Sequence, residues 1–328
     1  MLFTQAAIID KLRVCIWKKF VRLHDFPGNK VSCDNCCRLL CASSPLAVSP
    51  YSFGVAHAKI AIQSAFTGGG IKKMKIAVVT GASSGMGRDF VYAVDREFEL
   101  DEIWVVARRR ERLEELAATG KCRAKIRPVP LDLSQTESYN KYKELLEAEK
   151  PDIHVLVNAA GYGLFGTFTE MDVEDQLGIV DVNDKALTAF CGYSLPYMKE
   201  GAKIINMGSN SSWQPVPYIA VYAASKAYVL SFSRALGREL KTRGIHVMCV
   251  CPGWIKTEFM DRAVHDNTIK YYDRWYTSEQ VVEKAMKDLR KKKKVSILGF
   301  PVRSQVRLVK ILPTDMVMNT WCRQQGKK

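Results

Sequence analysis

No stretch of this 328-residue sequence stays apolar for the roughly 20 residues that a bilayer-crossing helix needs, so no integral membrane segment is expected. The one early apolar stretch is interrupted by Lys11, Arg13, Lys18 and Lys19. These basic residues follow its apolar start instead of preceding it, so it does not read as a secretory leader. Histidine is scarce, with five residues scattered along the chain. The cysteine cluster Cys33, Cys36, Cys37 and Cys41 lacks the second matched pair that a structural zinc site requires, so no metal is expected. Without a secretory signal the ten cysteines are expected to be mostly free thiols in a reducing, cytoplasmic setting.

Acidic charge is also lacking, but only locally. The net charge of +15 divides into +7 over residues 1–73, +11 over residues 284–328 and −3 over the long middle. A nearly neutral middle excludes nucleic acid as the main partner. The basic ends read as solvated faces or tails, and the run at 290–294 suits the C-terminal end of a helix dipole. A peripheral contact with a membrane surface remains open for the apolar, basic stretch around Pro313.

What is present begins in earnest near Met74. Residues 1–73 are expected to be a poorly ordered N-terminal extension, residues 74–300 a catalytic domain, and residues 301–328 a basic apolar tail. Across the middle, apolar β-branched runs alternate with helical spacing. KIAVVT, EIWVVAR, KIRPVP, DIHVLVN, AKIINM, IHVMCV and VSILGF read as strands with helices between them. Strands without polar alternation are buried on both faces. The expected fold is therefore α/β, a doubly wound parallel sheet with helices on both faces.

The first strand runs into TGASSGMG, Thr80 to Gly87, and then into a helix. Gly81, Gly85 and Gly87, with Ser83, Ser84 and Met86 between them, allow the tight turn and close backbone approach that a pyrophosphate needs at a helix N-terminus. At the end of the second strand no acid is present to hold ribose hydroxyls. Arg108, Arg109 and Arg110 stand there instead, which favours NADP(H) over NAD(H), with Arg108 first and Arg109 second as phosphate ligands. Tyr222 and Lys226 lie one helical turn apart, close enough for an ammonium to lower the pKa of a phenol toward useful acid–base chemistry.

Over roughly residues 74–300 these motifs, in this order, resemble the short-chain dehydrogenase/reductase family of the single-domain kind. The resemblance rests on TGASSGMG, LDLS, NAAG, VDVNDKALTAF, INMGS, YAASK and CPGWIKT. It implies that Asp132 and Leu133 lie against the adenine, and that Asn158, Ala159 and Gly161 border the cofactor. It likewise implies that Pro252, Gly253 and Thr257 flank the nicotinamide. Ser209, Tyr222, Lys226 and Asn183 are then the catalytic set, with Ser209 orienting the substrate oxygen and Asn183 holding a water through its backbone. Ala159 and Gly208 depart from the commoner Asn and Ser. The family also implies a homodimer or homotetramer.

The expected function is an NADP(H)-dependent interconversion of a secondary alcohol and a ketone, with Tyr222 as the proton donor or acceptor. Trp213, Tyr218, Trp254 and Phe259 are expected to line an apolar pocket suited to a steroid, a 3-oxoacyl chain or a similar small hydrophobic carbonyl compound. The alternative is a binding protein that senses NADP(H) and has kept the fold without the reaction.

Overall fold

The computed structural model describes residues 73–263 and 268–327. The cysteine cluster at 33–41 and the extension before Lys73 lie outside them, so the expectations placed there are not addressed by the structure.

The seven expected strands all form. They are β1 (Lys75–Thr80), β2 (Glu102–Ala107), β3 (Lys125–Pro130), β4 (Asp152–Asn158), β5 (Lys203–Met207), β6 (His246–Val250) and, after two short strands described below, β9 (Val295–Ser296). They make one parallel sheet in the order β3-β2-β1-β4-β5-β6-β9, a Rossmann-like doubly wound fold. β1 and β2 are buried along almost their whole length, as continuous apolar runs require when helices cover both faces.

One face of the sheet packs against α1 (Gly85–Glu97), α2 (Arg110–Ala118) and α8 (Ser278–Arg290), through Phe90, Leu113, Val282 and Leu289. The other packs against α3 (Thr136–Glu149), α5 (Ala186–Ser194) and α6 (Ala220–Glu239), where Tyr142 stacks on Phe190 with centroids 4.1 Å apart. Chain order reverses between β1 and β4, which opens a crevice at the carboxyl ends of the strands.

The segment between β4 and β5 is not one continuous helix. A loop runs to α4 (Val173–Val180), capped by Asp172, whose carboxylate accepts from the Glu174 and Asp175 amides. A π-turn at Asp181–Lys185 then joins α4 to α5. Two short strands, β7 (Trp254–Lys256) and β8 (Trp275–Thr277), pair in parallel outside the main sheet, with α7 (Phe259–Ala263) after β7. Residues 300–327 hold two helices, α9 (Phe300–Val309) and α10 (Thr314–Gln324). Val302, Val306 and Val317 are buried, and buried Gln325 accepts from the Lys270 and Tyr271 amides, both at 2.9 Å. Among the described residues, no helix is long and apolar enough to cross a membrane.

Candidate active site

Two adjoining cavities occupy the crevice. The first, a groove of about 340 Å³, runs along the glycine loop and is lined by Gly81, Ser83, Ser84, Gly85, Met86 and Gly87. Arg108, Arg109, Asp132, Leu133, Ala159 and Gly161 complete it on the β2–β4 side, and Thr257, Glu258 and Phe259 close the far wall. The glycines are required sterically. Gly81 has φ +69°, and a Cβ there would lie 2.7 Å from the Ala160 amide nitrogen. A Cβ at Gly87 would lie 2.2 Å from the Gly81 carbonyl oxygen. Only a bare backbone lets the loop and α1 approach so closely, and it leaves the N-terminal amides of α1 facing the groove as a pyrophosphate cradle.

Arg109, not Arg108, engages the glycine loop. Its guanidinium donates to the Ser83 and Ser84 hydroxyls at 2.9 and 3.0 Å, and to Glu258 at 2.9 Å. Arg108 lines the groove beside it. Asp132 turns inward on its own loop, accepting from the Ser134 amide and hydroxyl at 3.1 and 2.9 Å, while still bordering the groove. Asn158 departs from expectation. Strand alternation sends its side chain into the core, where it donates to Asn206 at 2.8 Å and to the Cys191 sulfur at 3.3 Å, so it does not line the groove.

The second cavity, about 360 Å³, holds the reactive side chains. Ser209 follows β5, while Tyr222 and Lys226 project from the first turns of α6, and all three line the cavity together with Pro252, Gly253 and Thr257. The Lys226 ammonium donates to the Met207 carbonyl at 2.9 Å and sits 5.6 Å from the Tyr222 ring centroid. Asn183 lies in the π-turn and is buried. Its side chain accepts from the Tyr162 amide at 3.0 Å and donates to the Tyr162 carbonyl and the Ser225 hydroxyl, both at 2.9 Å. Ser225 in turn donates to the Tyr222 carbonyl at 2.8 Å, so Asn183 ties the π-turn to the helix that carries the phenol.

One electrostatic expectation is reversed. Burial pushes the Tyr222 phenol up to about 12; the hydrogen bond with Ser209 opposes this only in part. Burial also brings Lys226 down to about 8, against the pull of Asp184. Desolvation disfavours both charged forms, the phenolate and the ammonium, and dominates both shifts. Asp184 was not anticipated from the sequence. Burial raises its carboxyl to about 7 despite Lys226, and its buried Oδ1 has no hydrogen-bond partner.

The apolar wall differs in part from expectation. Trp254 and Phe259 line the cavity, with Phe259 5.5 Å from the Tyr222 ring. Trp213 does not: its ring lies between the Arg234 guanidinium at 4.5 Å and the Lys310 ammonium at 4.0 Å. Tyr218 does not either. Its backbone is left-handed at φ +67°, and its ring packs beside the Lys327 ammonium, 5.2 Å away. In their place stand Phe165, Val216 and Ile219, and from α9 and α10 Val302 and Trp321. Trp321 donates from Nε1 to the Pro217 carbonyl at 3.0 Å, which fixes α10 over the cavity. The apolar, basic character of the stretch around Pro313 was legible in the sequence, but nothing local said that its helices would cover this cavity.

Comparison with known proteins agrees with this architecture. The short chain dehydrogenase family model matches residues 75–268. An NADP-dependent 3-hydroxy acid dehydrogenase of Schizosaccharomyces pombe is 30% identical over 242 residues, covering 69% of this chain and 92% of that protein. Sulfoacetaldehyde reductase 2 of Chromohalobacter salexigens is 35% identical over 191 residues, covering 56% of this chain and 74% of that protein. Among solved structures, a short-chain dehydrogenase from Sphingobium yanoikuyae in complex with NADPH superposes with a TM-score of 0.62 at 26% identity, covering 73% of this chain and 96% of that one. The chain therefore belongs to the short-chain dehydrogenase family and is an oxidoreductase of that family.

Proposed function

We propose that this protein is an NADP(H)-dependent oxidoreductase that interconverts a hydrophobic ketone and the corresponding secondary alcohol. The observation that carries the proposal is that Ser209, Tyr222 and Lys226 line a cavity with an aromatic wall that adjoins a glycine-cradled groove, the two sharing Ala159, Gly161, Thr257 and Phe259. The groove fits a dinucleotide, because its glycines admit a pyrophosphate and Arg109 stands where a 2′-phosphate would be held.

A bound nicotinamide would supply the hydride for carbonyl reduction. In this reading the chain's own residues do the rest. Ser209 donates a hydrogen bond to the substrate carbonyl oxygen and orients it. A phenol held near 12 is protonated throughout the neutral range, which suits Tyr222 to give its proton to that oxygen as negative charge develops. Lys226 stays mostly charged below pH 8 and is placed to stabilise the resulting phenolate, while Asn183 positions the helix that carries both. Phe165, Trp254, Phe259 and Trp321 favour a bulky apolar substrate, such as a steroid or 3-oxoacyl compound, while Gln214, Arg274 and Gln305 offer polar contacts on the same cavity.

The proposal includes a cytoplasmic setting, supported by the free thiols Cys122, Cys191, Cys249, Cys251 and Cys322. It also includes a homo-oligomer, supported by the exposed apolar stripe Val173, Leu177 and Val180 on α4. Exposed Phe300, Leu308 and Ile311, interleaved with Arg303 and Arg307, form the face that a peripheral membrane contact would use.

The test follows NADPH absorbance with a panel of hydrophobic ketones. Tyr222→Phe should lower turnover by at least about a hundredfold while NADPH binding is retained. Turnover that survives the substitution would remove Tyr222 as proton donor. Absence of turnover in the wild type with every ketone, alongside tight NADPH binding, would favour the sensing alternative.

A further inference from the structure

Arg109 and Arg112 converge on one carboxylate, Glu258, which comes from the opposite wall of the groove. Arg112 donates to both Glu258 oxygens, at 2.6 and 2.8 Å, and Arg109 donates to Oε2 at 2.9 Å. Arg109 simultaneously holds the Ser83 and Ser84 hydroxyls of the glycine loop. Glu258 directly follows Thr257, which lines both cavities, and precedes Phe259, which packs near Tyr222. The contact therefore spans the groove and connects Arg109, beside the glycine loop, and Arg112 of α2 to the segment that borders the reaction centre. The two guanidiniums hold the Glu258 carboxyl below the usual carboxylate range, so it is ionised at neutral pH.

Two arginines flanked by serine hydroxyls form an anion site, and Glu258 fills it from within the chain. A terminal phosphate presents the same chemistry, oxygens with negative charge matched to guanidinium forks. A phosphate seated on the Nη1 edge of Arg109 would displace Glu258 from it.

We infer that Glu258 is a specificity-determining residue. Its carboxylate competes with the 2′-phosphate of NADP(H) for Arg109 and Arg112, and so reduces the preference for NADP(H) over NAD(H). The inference rests on the proposed NADP(H) reading of the groove. NAD(H) carries no 2′-phosphate and leaves the bridge in place. NADP(H) must break part of it, which frees the segment from Thr257 to Phe259 from its tie to α2. A ligand shifts such an equilibrium only by its different affinity for the bridged and open forms, and the phosphate supplies that difference.

The experiment measures binding, not turnover. Intrinsic fluorescence or calorimetric titrations compare NADPH with NADH, and adenosine 2′-monophosphate with adenosine 5′-monophosphate, in wild type and in Glu258→Gln. Glutamine keeps the size and removes the charge. The bridge is partly exposed, so its loss should tighten NADPH and the 2′-monophosphate by about fivefold, with the NADH and 5′-monophosphate values changing by less than about twofold. Arg109→Gln should abolish the preference for the 2′-monophosphate in both backgrounds.

If the wild type prefers the 2′-monophosphate but Glu258→Gln leaves that preference unchanged or weaker, Glu258 does not compete and this inference falls alone. If neither protein distinguishes the two monophosphates, the arginines do not read a 2′-phosphate, and the NADP(H) reading falls with it.

Discussion

Lys226 is charged, buried and central to the proposed chemistry, so replacing it should separate stability from function. The residue is 5% exposed, and burial lowers its pKa from 10.5 to about 8. That fall corresponds to about 3 kcal/mol of destabilisation at pH 7 relative to a neutral amine. Lys226→Met keeps the chain length, removes the charge and strands the Met207 carbonyl, which now accepts from the ammonium at 2.9 Å. Stranding that acceptor costs about 1–3 kcal/mol, so the variant should be equal to wild type or up to about 2 kcal/mol more stable at pH 7.

The sign of the pH dependence follows from linkage. Between pH 8 and pH 10.5 the unfolded chain binds more protons at this site than the folded one, so wild-type stability rises with pH across that window. By pH 10 the burial penalty has fallen to about 1 kcal/mol, so the stability of Lys226→Met relative to wild type should have dropped by about 2 kcal/mol from its value at pH 7. Urea denaturation of both proteins at pH 7 and pH 10 reads the two differences, and ketone reduction should fall by about a hundredfold or more in the variant. A variant less stable than wild type at pH 7, or a difference that does not change with pH, would refute the claim that Lys226 is held there against its solvation.

Two further outcomes test the surroundings of the site. A Cβ on Gly208 would lie 2.8 Å from the Cys249 sulfur and 3.1 Å from the Cys251 sulfur, so Gly208→Ala should cost about 1–3 kcal/mol in urea denaturation. Cys249→Ala should recover part of that loss, and strict additivity of the two changes would show that the thiols are not the obstacle. Trp321→Ala should raise KM for bulky apolar ketones by about tenfold through lost burial, with little change in kcat for a small ketone. An equal loss for both substrates would show that α10 supports the fold instead of covering the pocket.

Much of the fold was legible because its signals are local. Buried parallel strands such as KIAVVT and EIWVVA announce themselves as unbroken β-branched runs, and all seven form. The glycine loop was legible as a motif between a strand and a helix, although only Gly87 answers a nearby demand, the Gly81 carbonyl, while Gly81 makes room for the distant Ala160 backbone. The π-turn at Asp181–Lys185 was not, because no local pattern distinguishes it from the α-helix on either side.

The site divides along the same line. The one-turn spacing of Tyr222 and Lys226 is a property of any α-helix, and the sequence alone determined that they share a face. Which way their pKa values move depends on how much water the fold removes, and only the assembled core decided that burial would dominate both. Trp213 and Tyr218 look as suited to an apolar pocket as Trp254 and Phe259, yet the fold turns the first pair away from it. Glu258 meets Arg109 and Arg112 across 149 and 146 residues of chain. Periodicity, capping and motif spacing act over a few residues and can be read in order along a chain. Desolvation, cavity lining and long-range ion pairs depend on which segments pack together, and those are fixed only when the sheet, the substrate loop and the C-terminal helices close around one crevice.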